Sequence, residues 1–313
     1  MKVLLTTTSF QDTPGVHQDL LYSQGFDIDT LRGPILEAEL LPIIQNYDAV
    51  ICGDDEYTAA VIEKGVQGSL KYLCKYGVGL DRIDLEAAKR FGVPVTNCPA
   101  VNQVSVSEHV LALLFAFERD IHLQYNSVQS GSWKRWVGNE IQGKTIGIVG
   151  LGAVGKELAK KANALGMKVL GFDLYRDEAF LLKHDEVTFV DSLEVIFDQA
   201  DVISLHLPHT PKTEHLINRD VIFNKLKKQP ILINTARGML VDSIALIEGL
   251  KEKKIKGYLT DVLSHEPMLD AEVLRGVDNI VITPHVGSRT YQSVQRQGSM
   301  AVNNLLNLIK IES

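Results

Sequence analysis

The sequence predicts an α/β protein with two domains, each built on a doubly wound parallel sheet. Three observations support this prediction. At 313 residues the chain is long for a single hydrophobic core. Short apolar strands alternate with helices along two separate stretches, one before residue 100 and one after residue 144. The second stretch opens with a strand and a glycine-rich turn at residues 150–155.

The first hundred residues contain five predicted strands with helices between them. Residues 15–23 and 85–90 are two of these helices. The first strand–helix–strand series is self-contained, which is typical of an α/β domain. The predicted strands are residues 3–5, 27–30, 49–52, 72–74 and 93–96.

A helix and an arm separate the two stretches. Residues 104–117 carry apolar side chains at positions 106, 110, 113, 114 and 117, a spacing that predicts one apolar helical face. The polar stretch 120–142 follows and holds both tryptophans, Trp133 and Trp136. We predict an arm outside the sheet. Two interpretations are open: the tryptophans form an oligomer contact, or both rings fold back on their own domain.

Seven strands are predicted after Lys144, with helices between them, and this arrangement indicates a second doubly wound sheet. The apolar spacing of residues 291–311 predicts a final helix. The predicted strands are residues 145–149, 168–172, 187–190, 202–205, 231–233, 258–260 and 280–282.

The composition excludes several classes of protein. The chain is 45% hydrophobic and 23% charged, and its net charge of -7 comes without a large basic patch, so we expect no nucleic-acid partner. The three widely spaced cysteines predict neither a disulfide framework nor a zinc site, and we expect no metal. The apolar start is too short for a signal peptide, and no segment has the length of a membrane span. We therefore expect a cytoplasmic protein that does not bind membranes.

Three glycines form the pattern G-x-G-x-x-G between a predicted strand and a predicted helix. Gly150 permits the tight turn, Gly152 lets the backbone approach a pyrophosphate, and Gly155 allows close packing of helix and strand. The N–H groups at the start of the helix, at Ala153 and Val154, would hold the phosphates. The pattern predicts a dinucleotide-binding turn.

Asp173 indicates which dinucleotide is bound. It stands eighteen residues after Gly155, at the tip of the next predicted strand. A carboxylate at this place accepts hydrogen bonds from the ribose hydroxyls and repels a 2′-phosphate, so the sequence favours NAD over NADP. Arg176, three residues further on, could serve a phosphate, and NADP therefore stays open.

Three runs, at residues 234–238, 261–267 and 283–287, follow predicted strands of the second sheet. They deliver Arg237, Glu266 and His285 to the edge where parallel sheets bind ligands. An arginine binds a carboxylate through two parallel hydrogen bonds, and a histidine exchanges protons near neutral pH. A carboxylate beside the imidazole would stabilise its protonated form and fix its orientation. Next to a nicotinamide, these groups fit the interconversion of a 2-hydroxy acid and a 2-oxo acid.

With these runs, four others make the sequence resemble the D-isomer-specific 2-hydroxyacid dehydrogenase family over essentially its whole length. The four are KYGVGLD at 75–81, SVSEH at 105–109, GKTIGIVG at 143–150 and LHLP at 205–208. The resemblance implies a Rossmann NAD-binding domain, residues 99–286, inserted into a flavodoxin-like substrate domain, residues 1–98 with 287–313. It places the active site in the cleft between them.

The resemblance also implies roles for single residues. Arg237 binds the substrate carboxylate and carbonyl, His285 is the acid–base and Glu266 supports it. Glu266 argues against formate dehydrogenases, which carry glutamine there. The other implied contacts are the backbone of Val78 and Gly79 to the substrate carboxylate, Asp261 to the nicotinamide amide with Thr235, Ala236 and Gly287 nearby, and His206 and Pro208 along the cofactor.

Two arginines depart from the family pattern. Arg82 stands where asparagine is common, and Arg289 stands where a small residue is usual. Either could favour a substrate with a second anionic group, such as a phosphate. The other interpretation is an ordinary surface ion pair. We include Arg289, and not Arg82, among the predicted substrate-binding residues.

The sequence thus predicts an NAD-dependent D-2-hydroxyacid dehydrogenase, with a small anionic acid as substrate and a homodimeric state. Its runs at 76–81 and 105–109 look most similar to those of phosphoglycerate and hydroxypyruvate or glyoxylate enzymes. We expect no regulatory domain after Ser313, and therefore no feedback by serine through such a domain. The alternative is an NAD(H)-sensing binding or regulatory protein, because corepressors related to the family keep its fold and its triad.

Overall fold

The computed structural model describes residues 1–312, which form two compact units. Unit 1 consists of Met1–Asn102 and Ser288–Ser313, and unit 2 is Gln103–Gly287. These boundaries fall a few residues from the predicted ones, at the start of the first helix of unit 2 and directly after Gly287.

Within residues 1–312, the two units contain twelve strands and twelve α-helices. The strands are β1 Lys2–Leu5, β2 Asp27–Thr30, β3 Ala49–Cys52, β4 Tyr72–Lys75, β5 Val95–Thr96, β6 Thr145–Val149, β7 Lys168–Phe172, β8 Val187–Phe189, β9 Val202–Leu205, β10 Ile231–Asn234, β11 Gly257–Thr260 and β12 Ile280–Ile282. The helices are α1 Thr8–Asp12, α2 Val16–Tyr22, α3 Glu37–Leu40, α4 Ala59–Gln67, α5 Leu85–Arg90, α6 Gln103–Glu118, α7 Ile121–Gln129, α8 Ala153–Ala164, α9 Glu178–Leu181, α10 Leu193–Gln199, α11 Ser243–Lys251 and α12 Tyr291–Glu312. Short 3-10 or π turns lie at Ile44–Asn46, Val221–Lys225 and Gly238–Leu240.

Unit 1 is built on a five-stranded parallel sheet in the order β2-β1-β3-β4-β5. This is the flavodoxin-like order. Two apolar clusters cover its faces, and α12 supplies Ala301, Val302 and Leu305 to one of them. The Asp84 carboxylate caps α5 by accepting a hydrogen bond from the N–H of Ala87 at 2.8 Å.

Unit 2 is built on a seven-stranded parallel sheet in the order β12-β11-β10-β9-β6-β7-β8. Its strands are apolar and most are buried, as expected when helices cover both faces. The strand order reverses between β6 and β9, the point where such sheets bind ligands. The predicted fold class, two doubly wound parallel sheets, is therefore confirmed.

One buried ion-pair cluster fixes the end of α6 in unit 2. Glu118 is almost completely buried and accepts hydrogen bonds from the ammonium groups of Lys144 and Lys256, the latter at 2.6 Å. Its backbone oxygen accepts a bond from the N–H of Asn139 at 2.7 Å. Glu118 thus joins α6 to the strand starts through its side chain and to the end of the arm through its backbone oxygen.

The arm, residues 120–142, contains α7 and a following segment without regular structure. Trp133 remains 77% exposed. Trp136 is half-buried, with the Lys134 ammonium 4.5 Å from its ring centre. Only the Trp136 ring is therefore partly buried by its own chain.

None of the helices within residues 1–312 combines the length and the apolar character needed to cross a membrane.

Candidate active site

Functional groups follow six neighbouring strands of unit 2. Because all strands are parallel, their carboxyl ends share one edge of the sheet. Along this edge lie, in spatial order, His285 after β12, Asp261 after β11, Thr235 and Arg237 after β10, His206 after β9, Gly150 after β6 and Asp173 after β7. Arg237, Glu266 and His285 thus lie beyond β10–β12, where Thr235 and Asp261 are also found, and the glycine turn and Asp173 lie beyond β6 and β7.

His285 and Glu266 are in direct contact. Nδ1 of His285 lies 2.6 Å from Oε2 of Glu266, and Oε1 of Glu266 accepts a hydrogen bond from the N–H of Leu263 at 2.8 Å. The two side chains are 40% and 31% exposed, so the pair can reach a ligand. The loop that carries Glu266 therefore orients both the carboxylate and the imidazole.

Asp261 holds the turn that carries His285. Its Oδ1 accepts hydrogen bonds from the Thr283 hydroxyl at 2.6 Å and from the N–H of Val286 at 2.9 Å, and its Oδ2 accepts one from the N–H of Gly287 at 2.7 Å. Its backbone oxygen accepts a bond from the N–H of His285 at 2.9 Å. These bonds hold His285 in the left-handed region, at φ +53°. The implied contact of Asp261 with the nicotinamide amide stays a prediction.

The Asp261 carboxylate is charged although it is only 2% exposed. Burial by itself would raise its pKa, but hydrogen bonds from His109, from Thr283 and from two backbone N–H groups hold the pKa below the usual range. A negative charge is therefore fixed under the histidine turn.

The turn of Arg237 is held by the side chain of Asn234. Nδ2 of Asn234 donates to the Arg237 carbonyl at 2.9 Å, and its Oδ1 accepts from the N–H of Ala236 at 3.1 Å. Nη1 of Arg237 donates to the Ala236 carbonyl at 2.7 Å. Gly238 touches the loop that leads to Glu266, since a Cβ at this position would lie 2.1 Å from the carbonyl carbon of Leu263. The arginine turn and the Glu266 loop thus support each other.

The glycine turn has the geometry that its sequence predicts. Gly150 has φ +103°, and a Cβ on Gly155 would lie 2.0 Å from the Gly150 carbonyl oxygen. A Cβ on Gly152 would meet no atom of residues 1–312 within 4 Å, so this position faces open space. Ala153 and Val154 begin α8, a twelve-residue helix, and present its first N–H groups. The turn fits a pyrophosphate.

Asp173 stands at the end of β7, as predicted, and its Oδ1 accepts a hydrogen bond from the N–H of Tyr175 at 3.1 Å. Arg176 binds carboxylates instead of standing free for a phosphate: its guanidinium lies 2.8 Å from Glu178 and 3.9 Å from Asp191. The charges beside the ribose position therefore agree with NAD.

Two further groups fit a cofactor that lies along the edge. His206 is partly buried, its Nε2 lies 2.9 Å from the Ser204 hydroxyl, and burial lowers its pKa to about 4. Its ring is therefore neutral. Pro208 is exposed, and its carbonyl accepts a bond from the Thr213 hydroxyl at 2.7 Å. The Thr235 hydroxyl is buried without a hydrogen-bond partner among the described residues, and a bound ligand would satisfy it.

The remaining predicted residues belong to unit 1. Val78 and Gly79 follow β4 on the carboxyl edge of that sheet, and the Val78 carbonyl accepts a bond from Nδ2 of Asn97 at 2.7 Å. Val78 is 43% exposed. Arg289 is exposed, and its Nη2 donates to the Thr8 hydroxyl at 3.3 Å, just beyond β1.

The two unusual arginines differ in their partners. Arg82 donates to Oε1 of Glu56 at 2.8 Å, the surface ion pair that was one of its two interpretations. Arg289 contacts a neutral hydroxyl in the same unit. Of the two, Arg289 is better suited to take an anionic ligand.

Sequence reasoning did not single out three residues of the site. Asn234, His109 and Thr283 hold the turns that carry the predicted residues. The signals were present: Asn234 is a polar residue at the end of an apolar strand, and the other two lie within runs that carry the resemblance.

A glycine turn on a doubly wound parallel sheet, with the His285–Glu266 contact on the same edge, defines a dinucleotide-binding domain of the Rossmann class. The profile of the family described as "D-isomer specific 2-hydroxyacid dehydrogenase, NAD binding domain" matches residues 111–287. The chain belongs to the D-isomer-specific 2-hydroxyacid dehydrogenase family, and unit 2 carries its NAD-binding domain.

Known proteins resemble the chain beyond this domain. D-3-phosphoglycerate dehydrogenase of Methanocaldococcus jannaschii is 35% identical over 100% of the chain, which spans only 58% of the length of that protein. Glyoxylate reductase of Thermofilum pendens is 37% identical, over 89% of the chain and 83% of the relative. The apo-structure of D-lactate dehydrogenase from Escherichia coli superposes with a TM-score of 0.87 at 30% identity, covering 100% of this chain and 98% of that one.

Proposed function

We propose that the chain is an NAD-dependent dehydrogenase that interconverts a D-2-hydroxy acid and its 2-oxo acid. The observation that carries the proposal is the 2.6 Å contact between His285 and Glu266 on the edge that also bears the glycine turn. A carboxylate-oriented imidazole is the arrangement that acid–base catalysis uses, and turnover separates the enzyme from a binding protein that keeps the same triad.

His285 would transfer the proton through Nε2. The Glu266 carboxylate is an acceptor only, so Nδ1 of His285 carries a hydrogen and donates it. Nε2 is therefore the nitrogen that gains and loses a proton during turnover. In the reduction of an oxo acid, it would protonate the oxygen that develops negative charge at C2. In the oxidation, it would accept the hydroxyl proton.

Arg237 would bind the carboxylate that all these acids share. Its guanidinium is permanently charged and planar, which suits a carboxylate bound through two hydrogen bonds. When bound, NADH supplies the hydride that reduces C2. The sequence-based assignment of Val78 and Gly79 to substrate binding remains part of this proposal.

The identity of the second group on the substrate is a separate question, and we propose that Arg289 decides it. One relative is named for a phosphorylated acid and another for glyoxylate, an acid without a side chain. Arg289 hydrogen-bonds a neutral hydroxyl and interacts with the Asp12 carboxylate only at longer range, whereas Arg82 is paired directly with Glu56. A guanidinium that is not paired directly with a carboxylate, as in Arg289, favours a dianionic acid, such as a phosphorylated hydroxy acid.

The test is the rate of NADH oxidation with a panel of 2-oxo acids, run beside NADPH. The panel contains glyoxylate, pyruvate, hydroxypyruvate, phosphohydroxypyruvate, 2-oxoglutarate and oxaloacetate. We expect turnover with NADH and a preference for one dianionic acid. Arg289→Ala should raise KM for that acid about tenfold and leave KM for glyoxylate unchanged, because glyoxylate has no second anion. Arg82→Ala is the matched control and should change neither.

The outcomes separate the two levels of the proposal. Turnover with an unchanged KM for every dianionic acid in Arg289→Ala would remove the substrate assignment and keep the dehydrogenase. No turnover of any acid, with tight NADH binding retained, would favour the NAD(H)-sensing alternative.

We also propose that the chain forms a homodimer through the arm. The support is apolar surface on one segment: Tyr125 is 63% exposed, Val128 48%, Trp133 77% and Val137 96%.

Three buried thiols without a disulfide are compatible with a reducing compartment, and we propose that the protein acts in the cytoplasm.

A further inference from the structure

His109, on α6 of unit 2, reaches the turn of the catalytic histidine. Its Nε2 lies 2.9 Å from the Thr283 hydroxyl oxygen and 3.3 Å from Oδ1 of Asp261. The side chain is 19% exposed. Its ring also covers Gly287, since a Cβ at that position would lie 3.5 Å from Cδ2 of His109.

The direction of these hydrogen bonds follows from counting hydrogens. The Thr283 hydroxyl has one hydrogen, and its 2.6 Å contact with the Asp261 carboxylate uses it, because a carboxylate only accepts. Toward His109, Thr283 can therefore only accept. Nε2 of His109 must carry the hydrogen and donate it, which also suits its contact with Asp261.

The hydrogen-bond network that begins at His109 ends at the backbone N–H groups that follow His285. With Thr283 and His109 bound, Asp261 still accepts from the N–H groups of Val286 and Gly287. Loss of the imidazole donor would leave a buried carboxylate with one partner fewer, and the carboxylate would shift toward other donors or water. Since Asp261 fixes both sides of His285, such a shift moves the catalytic imidazole.

We propose that His109 is a positioning residue for His285, acting through Thr283 and Asp261. This inference rests on the proposed function, in which His285 transfers the proton. His109 does not touch Arg237 or the glycine turn in the hydrogen bonds of the site, so binding of the acid and of the cofactor pyrophosphate should persist without it. Its contacts with Asp261 and Gly287 place any change in cofactor binding at the predicted nicotinamide contacts. A displacement on the order of 1 Å at the proton donor lowers the rate by as much as 100-fold.

Three variants test the proposal. His109→Leu removes the donor and keeps apolar volume. His109→Gln returns an N–H group near the position of Nε2. Glu108→Gln is the control on the same helix, because Glu108 is 58% exposed and pairs only distantly with Lys161, at 3.7 Å. The measurements are kcat and KM with NADH and the best oxo acid, and amide hydrogen exchange.

The expected result is a kcat about 10- to 100-fold lower in His109→Leu, with KM for the oxo acid within twofold. His109→Gln should recover most of the loss, and Glu108→Gln should behave like the parent chain. Exchange at the Val286 and Gly287 amides should accelerate about tenfold in His109→Leu, while the amide of Leu232 in β10 stays unchanged.

Four outcomes would overturn the proposal: parental kcat and exchange in His109→Leu, no recovery in His109→Gln, equal losses in Glu108→Gln, or faster exchange throughout unit 2. The exchange measurement needs no turnover. If the parent chain reduces no acid, the proposed function fails, and the exchange at residues 286 and 287 still decides whether His109 holds the turn.

Discussion

At the scale of single residues, the candidate site depends on side chains that hold backbone turns. His285 lies in the left-handed region, which costs about 1 kcal/mol for a residue with a Cβ. The bonds of Asp261 to the backbone on both sides offset this cost. His285, the predicted acid–base, is thus kept in place by a neighbour that has no predicted part in proton transfer.

Glu266→Gln tests the chemistry of the pair at this scale. The variant keeps the shape of the side chain and removes the charge that stabilises protonated His285. We expect kcat for oxo-acid reduction to fall about 100-fold. The pH above which reduction declines should also move downward, because His285 loses its proton more easily without the carboxylate.

The measurement is the pH profile of kcat for oxo-acid reduction. Glu272→Gln is the matched control, because Glu272 also uses Oε1 to accept a backbone hydrogen bond, from the N–H of Leu274 at 3.1 Å. A parental pH profile in Glu266→Gln would show that the pair is not the acid–base.

His206 predicts how the stability of unit 2 depends on pH. Burial lowers its pKa from 6.5 to about 4 in the folded chain. Between pH 6.5 and pH 4, His206 is protonated in the unfolded chain and neutral in the folded chain. The free energy of unfolding therefore decreases as the pH falls through this range. Between pH 7 and pH 5 the loss should be about 1–2 kcal/mol, allowing for the partial exposure of the ring.

Urea unfolding followed by tryptophan fluorescence measures this loss, because both tryptophans lie in unit 2. His206→Gln cannot titrate and should show a correspondingly smaller change between pH 7 and pH 5. Equal changes in both chains would contradict the assignment to His206.

At the scale of elements, apolar runs predicted the strands well because most are buried on both faces. β6, β7 and β9 begin and end as predicted. The predicted strand at 93–96 was wrong at its start: β5 begins at Val95, since Pro94 has no N–H to donate to the sheet. The predicted strand at 187–190 was one residue too long. Strand ends depend on single hydrogen bonds, which an apolar pattern does not report.

The candidate site was predictable only where one residue signals its own chemistry. Arg237, Glu266 and His285 follow strands and carry charge or an imidazole, so their types indicated a role, which stays a prediction. His109 lies on a helix far away in sequence, and its contact with Thr283 spans 174 positions. Residue type and spacing cannot reveal such a contact, because it arises from the packing of α6 against the sheet.

At the scale of the whole molecule, the two units divide the predicted work. Unit 2 carries the glycine turn, Asp173, Arg237 and the His285–Glu266 pair, together with the arm. Unit 1 carries Val78, Gly79 and Arg289. Differences in substrate among relatives can therefore arise in unit 1 while the chemistry of unit 2 stays the same.

Trp133→Glu tests the proposed homodimer. Trp133 is 77% exposed, and a two-fold interface would bury it once from each protomer. A charge at this place is desolvated twice in the dimer, which should weaken association by about 3 kcal/mol, or more than 100-fold in Kd. Sedimentation velocity at micromolar concentration should find twice the chain mass for the parent and one chain mass for the variant.

Leu182→Glu is the matched control, because Leu182 is 85% exposed in the same unit and lies outside the arm. If solvent exposure alone drove association, both variants would dissociate the dimer; if the arm is the interface, only Trp133→Glu will. A parent chain that sediments as a monomer would leave Trp133 without a partner and contradict the dimer.

The arm joins α6 through Glu118, and α6 carries His109. A dimer contact on the arm would therefore stiffen the helix on which the histidine turn depends, and Trp133→Glu should also accelerate amide exchange at Gly287.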